Sequence, residues 1–156
     1  MIQYIRVDDR LLHGQIVSSW RGSLHFDAIV LVSEVASNDP LRKAALKLAK
    51  PDGILMAIKN TEEAIELLNN PLLKSKKVFV ITDTIKAASK VIRNIEDSVV
   101  LNIGGIQKDE NKKPIVSFAY IDENDKALLD QLDDEGYEIE FRLVPTDQKI
   151  KYSDVK

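Results

Sequence analysis

The chain has 156 residues, of which 44% are hydrophobic and 30% are charged; its formal net charge is −3 and it contains no cysteine. This length and composition are typical of one globular domain with its own core, which we expect to span residues 1–156. The negative net charge disfavours nucleic acid as a partner. The absence of cysteine excludes disulfides and thiolate metal sites, and no apolar run approaches the roughly 20 residues of a membrane span.

Short apolar runs alternate along the chain with segments of helical periodicity. The first run, 2–7, predicts a buried strand, and apolar positions at Leu12, Ile16 and Trp20 predict an amphipathic helix directly after it. Four further strands are predicted at 28–32, 54–58, 78–81 and 99–103. The helices predicted between or after them begin near Asp39-Pro40, Asn60, Thr84 and Asp122, each of which can cap a helix.

The last third of the chain has weaker signals. Residues 107–114 form a polar loop that ends in proline, and 115–118 predicts a short strand at an edge. A helix runs from Asp122 to Gly136, and 137–144 alternates as a last strand before a polar tail. Taken together, this order predicts an α/β fold: an open, mostly parallel sheet of six or seven strands with helices on both faces.

Chemically versatile side chains are concentrated in the turn after the first strand. Asp8, Asp9, Arg10 and His13 follow one another there, directly before Gly14. In open α/β sheets, ligands bind where the carboxyl end of a strand leads into a helix, and free helix amides at that place favour an anion. A histidine with an arginine three residues before it therefore predicts chemistry on a phosphoryl group.

Several of these residues also have plainer interpretations. His13 can be a surface or helix-capping histidine, and Arg10 can be an exposed charge. Asp9 can be a turn residue, as can Asp8. The pair Gly104-Gly105 after the fifth strand can form a tight turn, or it can let backbone amides approach a ligand. Trp20 and Ile16 are expected in the core, His25 is expected to be exposed, and Asp83-Thr84 is expected to cap a helix.

The segment Arg6-Val7-Asp8-Asp9-Arg10-Leu11-Leu12-His13-Gly14-Gln15 resembles the active-site segment of a known family. That family is the enzyme IIB component of the bacterial phosphoenolpyruvate-dependent sugar phosphotransferase system, in its mannose/fructose/sorbose class. The resemblance extends over nearly the whole chain: 34–39 resembles the second loop of the class, 102–105 its glycine-containing fifth loop, and 138–145 its closing strand. Gly105 stands where a longer polar side chain is common in the class, which leaves the contacts of that loop open. The loop Glu34–Asn38 varies among members of the class, so its contacts also stay open.

The resemblance implies a protein-N(π)-phosphohistidine–sugar phosphotransferase. His13 would accept a phosphoryl group from a histidine of a IIA partner and pass it to a sugar bound by the membrane subunits IIC and IID. It implies no cofactor and no metal. With no signal peptide before the first strand, we expect a cytoplasmic protein associated peripherally with the membrane transporter. The sugar, and the choice between monomer and homodimer, stay open.

The residues fit this chemistry. A neutral imidazole is the attacking form, and an ordinary histidine is mostly neutral at about pH 7. Arg10 can supply a planar fork for the phosphoryl oxygens, and the amides of Gly14, Gln15 and Ile16 can hold those oxygens. Either Asp8 or Asp9 can orient the imidazole, and we favour Asp8. Which imidazole nitrogen is phosphorylated stays open.

Two other classes compete with this interpretation. A receiver-like signalling domain, phosphorylated on aspartate, would use Asp8 and Asp9 to hold Mg²⁺. It would leave Arg10 and His13 without a role, and Lys59-Asn60-Thr61 follows the third strand where it needs a nucleophilic aspartate. A non-catalytic nucleotide-binding module is the other candidate, although neither a G-x-G-x-x-G sequence nor a P-loop follows any predicted strand.

Overall fold

In a computed structural model of the chain, residues 1–156 are described apart from the side chain of Gln15. The strands are β1 (Ile2–Val7), β2 (Ala28–Val32), β3 (Leu55–Lys59), β4 (Val78–Thr82), β5 (Leu101–Ile103), β6 (Lys113–Val116), β7 (Ala119–Ile121), β8 (Ile139–Phe141) and β9 (Ile150–Lys151). The α-helices are α1 (Gly14–Leu24), α2 (Glu34–Ser37), α3 (Pro40–Leu48), α4 (Thr61–Leu68), α5 (Ile85–Arg93) and α6 (Glu123–Asp134). Among the described residues, no helix is long and apolar enough to cross a membrane.

The main sheet has seven strands in the order β3-β2-β4-β1-β5-β8-β9. Its strands pair in parallel, except that β9 runs antiparallel to β8. Strands β6 and β7 form a separate antiparallel pair. This confirms the predicted α/β fold with an open, mostly parallel sheet, and it falls within the predicted strand number.

Each face of the sheet carries its own apolar core, because successive side chains of a strand point to opposite faces. One core packs under α1 and α3, around Trp20 and Phe79. The other packs under α4, α5 and α6, and includes Val80 from the same central strand. The predicted helices therefore cover both faces, as expected for parallel strands that are buried on both sides.

The predicted helix caps are present at four starts. Asp39 accepts hydrogen bonds from the amides of Leu41 and Arg42, and Pro40 occupies the first helical position. The side chains of Asn60, Thr84 and Asp122 accept from the amides of Glu63, Ala87 and Asp125 respectively. These short polar residues satisfy amides that have no partner inside the helix, and they fix where each helix begins.

The connections place a crevice beside the end of β1. From β1 the chain turns through α1 toward β2, whereas from β5 it continues through α6 toward β8 on the other side. The loops after these adjacent strands diverge, and such switch points are where open α/β sheets bind ligands. The two loops remain tied together at their base, since the Gly104 amide donates to the Val7 carbonyl at 2.8 Å and the Asp9 amide donates to the Gly105 carbonyl at 3.0 Å.

Two expectations for the last third of the chain differ from the structure in their bounds. The short edge strand predicted at 115–118 is present as β6 over Lys113–Val116, and it pairs with β7 in a hairpin apart from the main sheet. Pro114 is compatible with this strand because a two-stranded ribbon leaves many amides without a ladder partner. The polar loop predicted at 107–114 is correspondingly shorter.

The predicted last strand and tail also differ from the structure. Only 139–141 of the predicted 137–144 is extended in the sheet, and the tail returns to pair as β9. Tyr152 is buried beside Phe141 at a ring-centroid distance of 6.3 Å, and its hydroxyl donates to Asp130 at 2.5 Å. Isolated apolar residues in a polar sequence have no periodicity, so nothing in the sequence predicted that this tail packs on the sheet.

Replacing Phe79 by alanine tests the core under α1. Phe79 is fully buried in the central strand β4, in contact with the rings of Trp20 and Phe26. Because Phe79→Ala leaves a cavity that its neighbours cannot fill, the free energy of unfolding should fall by about 3–5 kcal/mol. Urea unfolding monitored by circular dichroism measures the change. The matched control is Leu41→Ala, since the Leu41 side chain is 81% exposed and its loss should change stability by about 0.5 kcal/mol or less.

Candidate active site

A tight turn at the end of β1 carries the predicted site residues. The Leu11 amide donates to the Asp8 carbonyl at 2.9 Å, which closes the turn. Leu11 has a φ of 58°, a left-handed conformation that leucine rarely adopts. Its side chain is nevertheless buried in the core under α1, so apolar packing offsets the backbone strain. The turn is thus anchored from inside, with Arg10 half exposed and His13 about a quarter exposed beside it.

The carboxylate of Asp8 lies at the centre of the site and is fully buried. Its Oδ2 lies 3.1 Å from Nε2 of His13 and 3.2 Å from Nη2 of Arg6. Its Oδ1 accepts a hydrogen bond from the Arg10 backbone amide at 3.1 Å, and Nε of Arg10 lies 3.7 Å away. Of the two carboxylates considered from the sequence, Asp8 is therefore the one in contact with the imidazole.

Asp9 has the structural role that was its plainer interpretation. Its Oδ2 accepts a hydrogen bond from the Gln107 amide at 2.7 Å, and its own amide donates to Gly105. Both contacts fix the loop after β5 against the turn after β1. His25 is exposed, as expected, and lies at the opposite end of α1 from His13, where it ends the helix in a left-handed conformation.

Behind Asp8 lies a buried arginine that sequence reasoning did not single out. Nη1 of Arg6 donates to Oδ1 of Asn102 at 2.6 Å and to the Arg142 carbonyl at 3.0 Å. Its guanidinium carbon lies 5.4 Å from the ring centroid of Trp20. Burial lowers the pKa of Arg6 and the adjacent Asp8 carboxylate counteracts this, but an arginine side chain remains protonated in proteins. Arg6 and Asp8 therefore form a buried ion pair.

A second ion pair lies beside Trp20. The guanidinium of Arg142 lies 5.1 Å from the indole centroid, donates to the Tyr4 hydroxyl at 3.0 Å, and pairs with the nearly buried Glu140 at 3.2 Å. Burial raises the pKa of Glu140, and the charge of Arg142 opposes that rise. Trp20, predicted to be a core residue, is fully buried, and both guanidinium groups lie near its ring.

The glycines after β5 make room for these arginines. A Cβ atom at Gly104 would overlap the guanidinium of Arg6, and one at Gly105 would lie 3.3 Å from Nη2 of Arg10. The Gly104 amide is already bonded to the sheet, so it does not point to a ligand. The space that the two glycines leave is thus taken up by the side chains of Arg6 and Arg10, which is neither of the two interpretations predicted for this pair.

The entrance to α1 is open beside His13. His13 occupies the position before the first helical residue, its side chain makes no capping bond to the helix, and a Cβ at Gly14 would meet nothing within 4 Å. The first turn of α1 contains no acidic residue. Helical geometry leaves the first amides, among them those of Gly14 and Ile16, without partners inside the helix. The amide of Gln15, also predicted at this place, belongs to the same first turn of α1; the side chain of Gln15 lies outside the described part of the chain.

The loop after β2 is fixed by contacts of its own. Its residues 34–37 form the short helix α2, where the sequence predicted only a loop. Ser33 accepts a hydrogen bond from the Ala36 amide and donates to Oδ2 of Asp83 at 2.5 Å, while a carboxylate oxygen of Glu34 accepts from the Thr61 amide at 2.8 Å. These contacts join the loop to the starts of α4 and α5.

The geometry of Asp8 and Asp9 conflicts with the receiver-like alternative, in which these two carboxylates would hold Mg²⁺. The Asp8 oxygens are occupied by Arg6, His13 and a backbone amide, and Asp9 binds the Gln107 amide. Among the residues that the structure describes, no group of three or more histidines and carboxylates is arranged to hold a metal ion.

Comparisons with known proteins agree on one family. The family model described as "PTS system sorbose subfamily IIB component" matches residues 2–155. A sorbose-specific EIIB component of Lacticaseibacillus casei is 33% identical over 147 residues, which cover 94% of this chain and 90% of that protein. A mannose-specific EIIAB component of Escherichia coli K12 is 27% identical over 99% of this chain and 48% of that protein. The crystal structure of the IIBSor domain of the sorbose permease from Klebsiella pneumoniae matches with a TM-score of 0.93 at 27% identity, covering 99% of this chain and 94% of that one.

Asp83→Asn tests the electrostatics of the loop beside the site. Burial raises the pKa of Asp83 above its usual value, so between these two values the folded state binds more protons than the unfolded state. The contribution of Asp83 to stability therefore falls as pH rises through that window, and the loss remains at neutral pH. In Asp83→Asn the amide oxygen still accepts from Ser33, so the variant should lose less stability than the wild type from about pH 4 to about pH 7.

Urea unfolding at the two pH values measures this difference. Asp52→Asn is the control, because Asp52 is exposed in a turn and its removal should leave the pH dependence of stability unchanged. A pH dependence of Asp83→Asn equal to that of the wild type would mean that the Asp83 carboxylate is not destabilised by burial.

Proposed function

The chain belongs to the sorbose subfamily of IIB components of the bacterial sugar phosphotransferase system, and we propose that His13 is the residue that carries the phosphoryl group. The observation that supports this most directly is the contact of the His13 imidazole with the buried carboxylate of Asp8 at the open entrance of α1. His13 takes the phosphoryl group from a phosphohistidine of a donor protein and gives it to a hydroxyl group of a sugar.

The contact with Asp8 favours one nitrogen of the imidazole. A carboxylate accepts hydrogen bonds, so Nε2 of His13, 3.1 Å from Oδ2, carries the ring proton. The lone pair is then on Nδ1, which becomes the nucleophile. A new N–P bond forms at Nδ1 as the donor's N–P bond breaks. In the second transfer the sugar oxygen attacks phosphorus, so that an O–P bond forms as the Nδ1–P bond breaks. The proton of the sugar hydroxyl goes to water, and His13 returns to its neutral form with the lone pair on Nδ1.

Positive electrostatic potential at the entrance of α1 supports the transfer. The transferring group spreads negative charge over three oxygens, so catalysis requires position and charge stabilisation rather than covalent help. Arg10 lies half exposed on the same turn, and α1 presents its positive end beside His13, with the amides of Gly14, Gln15 and Ile16. We infer that Arg10 and these amides hold the phosphoryl oxygens.

The partners follow from the family. The Escherichia coli relative is an EIIAB component, and the chain spans about half of its length. We propose that a separate or linked IIA domain is the donor, and that membrane subunits IIC and IID bind the sugar and bring this chain to the membrane. The Klebsiella pneumoniae IIBSor domain is likewise part of a sorbose permease.

Replacing His13 tests the carrier assignment. His13→Ala should abolish phosphorylation by phosphoenolpyruvate, the general phosphotransferase proteins and a cognate IIA, because the nucleophile is lost while the fold is kept. His25→Ala is the matched control and should be labelled fully, since His25 is exposed at the far end of α1. Mass spectrometry under non-acidic conditions locates the phosphate, because phosphohistidine is labile in acid.

Two results would contradict the assignment. Full labelling of His13→Ala would place the phosphate elsewhere. In a second arm, a chelator added after IIA has been phosphorylated should leave the transfer to this chain intact, because Arg10 and the helix amides supply the positive potential. Loss of the transfer in chelator would favour the receiver-like alternative, with Mg²⁺ held by Asp8 and Asp9.

Arg10→Lys tests how the phosphoryl group is held. Lysine keeps the charge but loses the planar fork, so the exchange is not conservative at a site that binds two oxygens at once. A charge-assisted hydrogen bond contributes about 1.5–3 kcal/mol. The rate of transfer from phosphorylated IIA should therefore fall roughly tenfold to a hundredfold, at about 1.4 kcal/mol per factor of ten.

Arg21→Lys is the control for Arg10→Lys, since Arg21 is exposed in the last turn of α1, and its transfer rate should equal that of the wild type. Rates are compared at matched salt, because exposed charges are screened. An unchanged rate and phosphohistidine lifetime in Arg10→Lys would remove Arg10 from the site and leave the helix amides as the main anion holder.

A further inference from the structure

Arg6 is fully buried and has no access to a bound phosphoryl group, yet its Nη2 and the imidazole of His13 contact the same oxygen of Asp8. An arginine in this position is costly, because burial removes its charge from water. The contact with Asp8 Oδ2 at 3.2 Å points to a task at the carboxylate rather than at the substrate.

The pair formed by Asp8 and His13 has two arrangements with a neutral ring, and the second holds one proton fewer than the first, that proton having been released to water. In the first, Asp8 is protonated, donates to Nε2, and leaves the ring proton on Nδ1. In the second, Asp8 is ionised and accepts from Nε2–H, which leaves the lone pair on Nδ1. A carboxyl group excluded from water favours the protonated form unless a positive charge lies beside it. The first arrangement has no nucleophile on the nitrogen that faces away from Asp8.

We propose that Arg6 is the positioning residue that selects the second arrangement: its guanidinium keeps Asp8 ionised, and Asp8 in turn keeps the Nδ1 lone pair of His13 free for phosphoryl transfer. The proposal rests on the proposed function for its purpose, but the state of the imidazole can be measured without any transfer. Arg6 acts through Asp8 and touches neither the phosphoryl group nor the sugar.

The surroundings hold the guanidinium of Arg6 in place. Asn102 and the Arg142 carbonyl both accept from Nη1, and the indole of Trp20 lies against the guanidinium plane. On the remaining side lies Gly104, where a Cβ would overlap the guanidinium. This contact explains why the loop after β5 carries glycine there, since φ at Gly104 is outside the left-handed region that favours glycine.

The other charges near the pair are accounted for. Arg10 lies on the same turn with Nε 3.7 Å from Oδ1 of Asp8, but it is half exposed to water, which weakens its effect on the carboxylate. From β8 and the residue after it, Glu140 and Arg142 pair with each other. Arg6 is thus the buried positive charge in direct contact with the buried carboxylate.

The test is the protonation of His13 in the full, unphosphorylated chain, measured from the ¹⁵N shifts of its imidazole by NMR. In the wild type we expect a neutral ring with the proton on Nε2. Arg6→Met keeps the volume of the side chain and removes its charge. In this variant we expect most His13 rings to carry a proton on Nδ1. His25 gives an internal reference, since its signals should not change.

Two further variants keep the test decisive if Arg6→Met does not fold. Gly104→Ala leaves Arg6 chemically intact but displaces its guanidinium, so it should shift the His13 ring in the same direction. Arg6→Lys retains a positive charge and should preserve the wild-type ring form at least in part. Arg93→Met is the matched control, because Arg93 pairs with Glu135 at 3.0 Å on the distant helix α5, and its removal should leave the His13 signals unchanged.

Transfer from phosphorylated IIA adds a functional readout. Loss of the hydrogen-bond partner that orients a metal-bound histidine costs about 10–100-fold in activity, and we expect a loss of the same order in Arg6→Met and Gly104→Ala while Arg93→Met is unaffected. The proposal is overturned if folded Arg6→Met shows the same His13 ring form as the wild type. If Arg6→Met does not fold, the same result in Gly104→Ala overturns it. If the ring form changes as expected but wild-type His13 is never phosphorylated, the proposed function fails and the role of Arg6 toward Asp8 stands.

Discussion

The ion pair between Arg6 and Asp8 is the constraint on which the rest of the site depends. A fully buried carboxylate at the end of β1 is unfavourable without a partner, and so is a fully buried guanidinium. Each makes the other tolerable. Nη1 of Arg6 and Oδ1 of Asp8 have further hydrogen bonds, whereas Nε of Arg6 is buried with no hydrogen-bond partner among the described residues. His13 then receives a fixed acceptor for one ring nitrogen, so that an imidazole at the start of a helix has a defined orientation.

The parallel sheet supplies the partners of this ion pair in one row. Arg6 of β1 is in register with Asn102 of β5, and Asn102 is in register with Glu140 of β8. Residues in register on neighbouring strands point to the same face, here the face covered by α1. Three polar side chains thus lie side by side beneath Trp20, where an apolar row would be the usual choice. Strands β1, β5 and β8 are adjacent in the sheet although they are far apart in the sequence. For this reason a site near residue 10 depends on residues beyond 100.

This arrangement determines what the sequence could predict. Asp8, Arg10 and His13 are neighbours in the chain at a strand-to-helix turn, so local pattern and family resemblance were enough to propose them. Arg6 lies within an apolar run that correctly predicted a buried strand, and nothing local indicates that a charged residue in such a strand points inward to a partner.

The same limit applies to the distant supports of the site and to the tail. Asn102, Glu140 and Arg142 become meaningful only when strand order and register are known, and those arise from tertiary packing. Alternation in 137–144 suggested a strand with one polar face, whereas Glu140 is nearly buried. The close approach of Arg10 to the Cβ position of Gly105 shows what the small size of this residue permits. Strand–helix alternation and helix caps are local, and these were predicted well.

Charge is distributed so that the buried and exposed halves of the site have different tasks. The buried half is balanced, since Arg6 pairs with Asp8 and Arg142 pairs with Glu140. The exposed half has a positive excess, from Arg10 and the free amides at the start of α1. A phosphoryl group on Nδ1 would therefore add its negative charge at the entrance, without disturbing the ion pairs below. In the proposed function the donor and the sugar reach phosphorus one after the other. An entrance that is rigid at its buried side and open to solvent on the other suits a carrier that receives a group and then releases it.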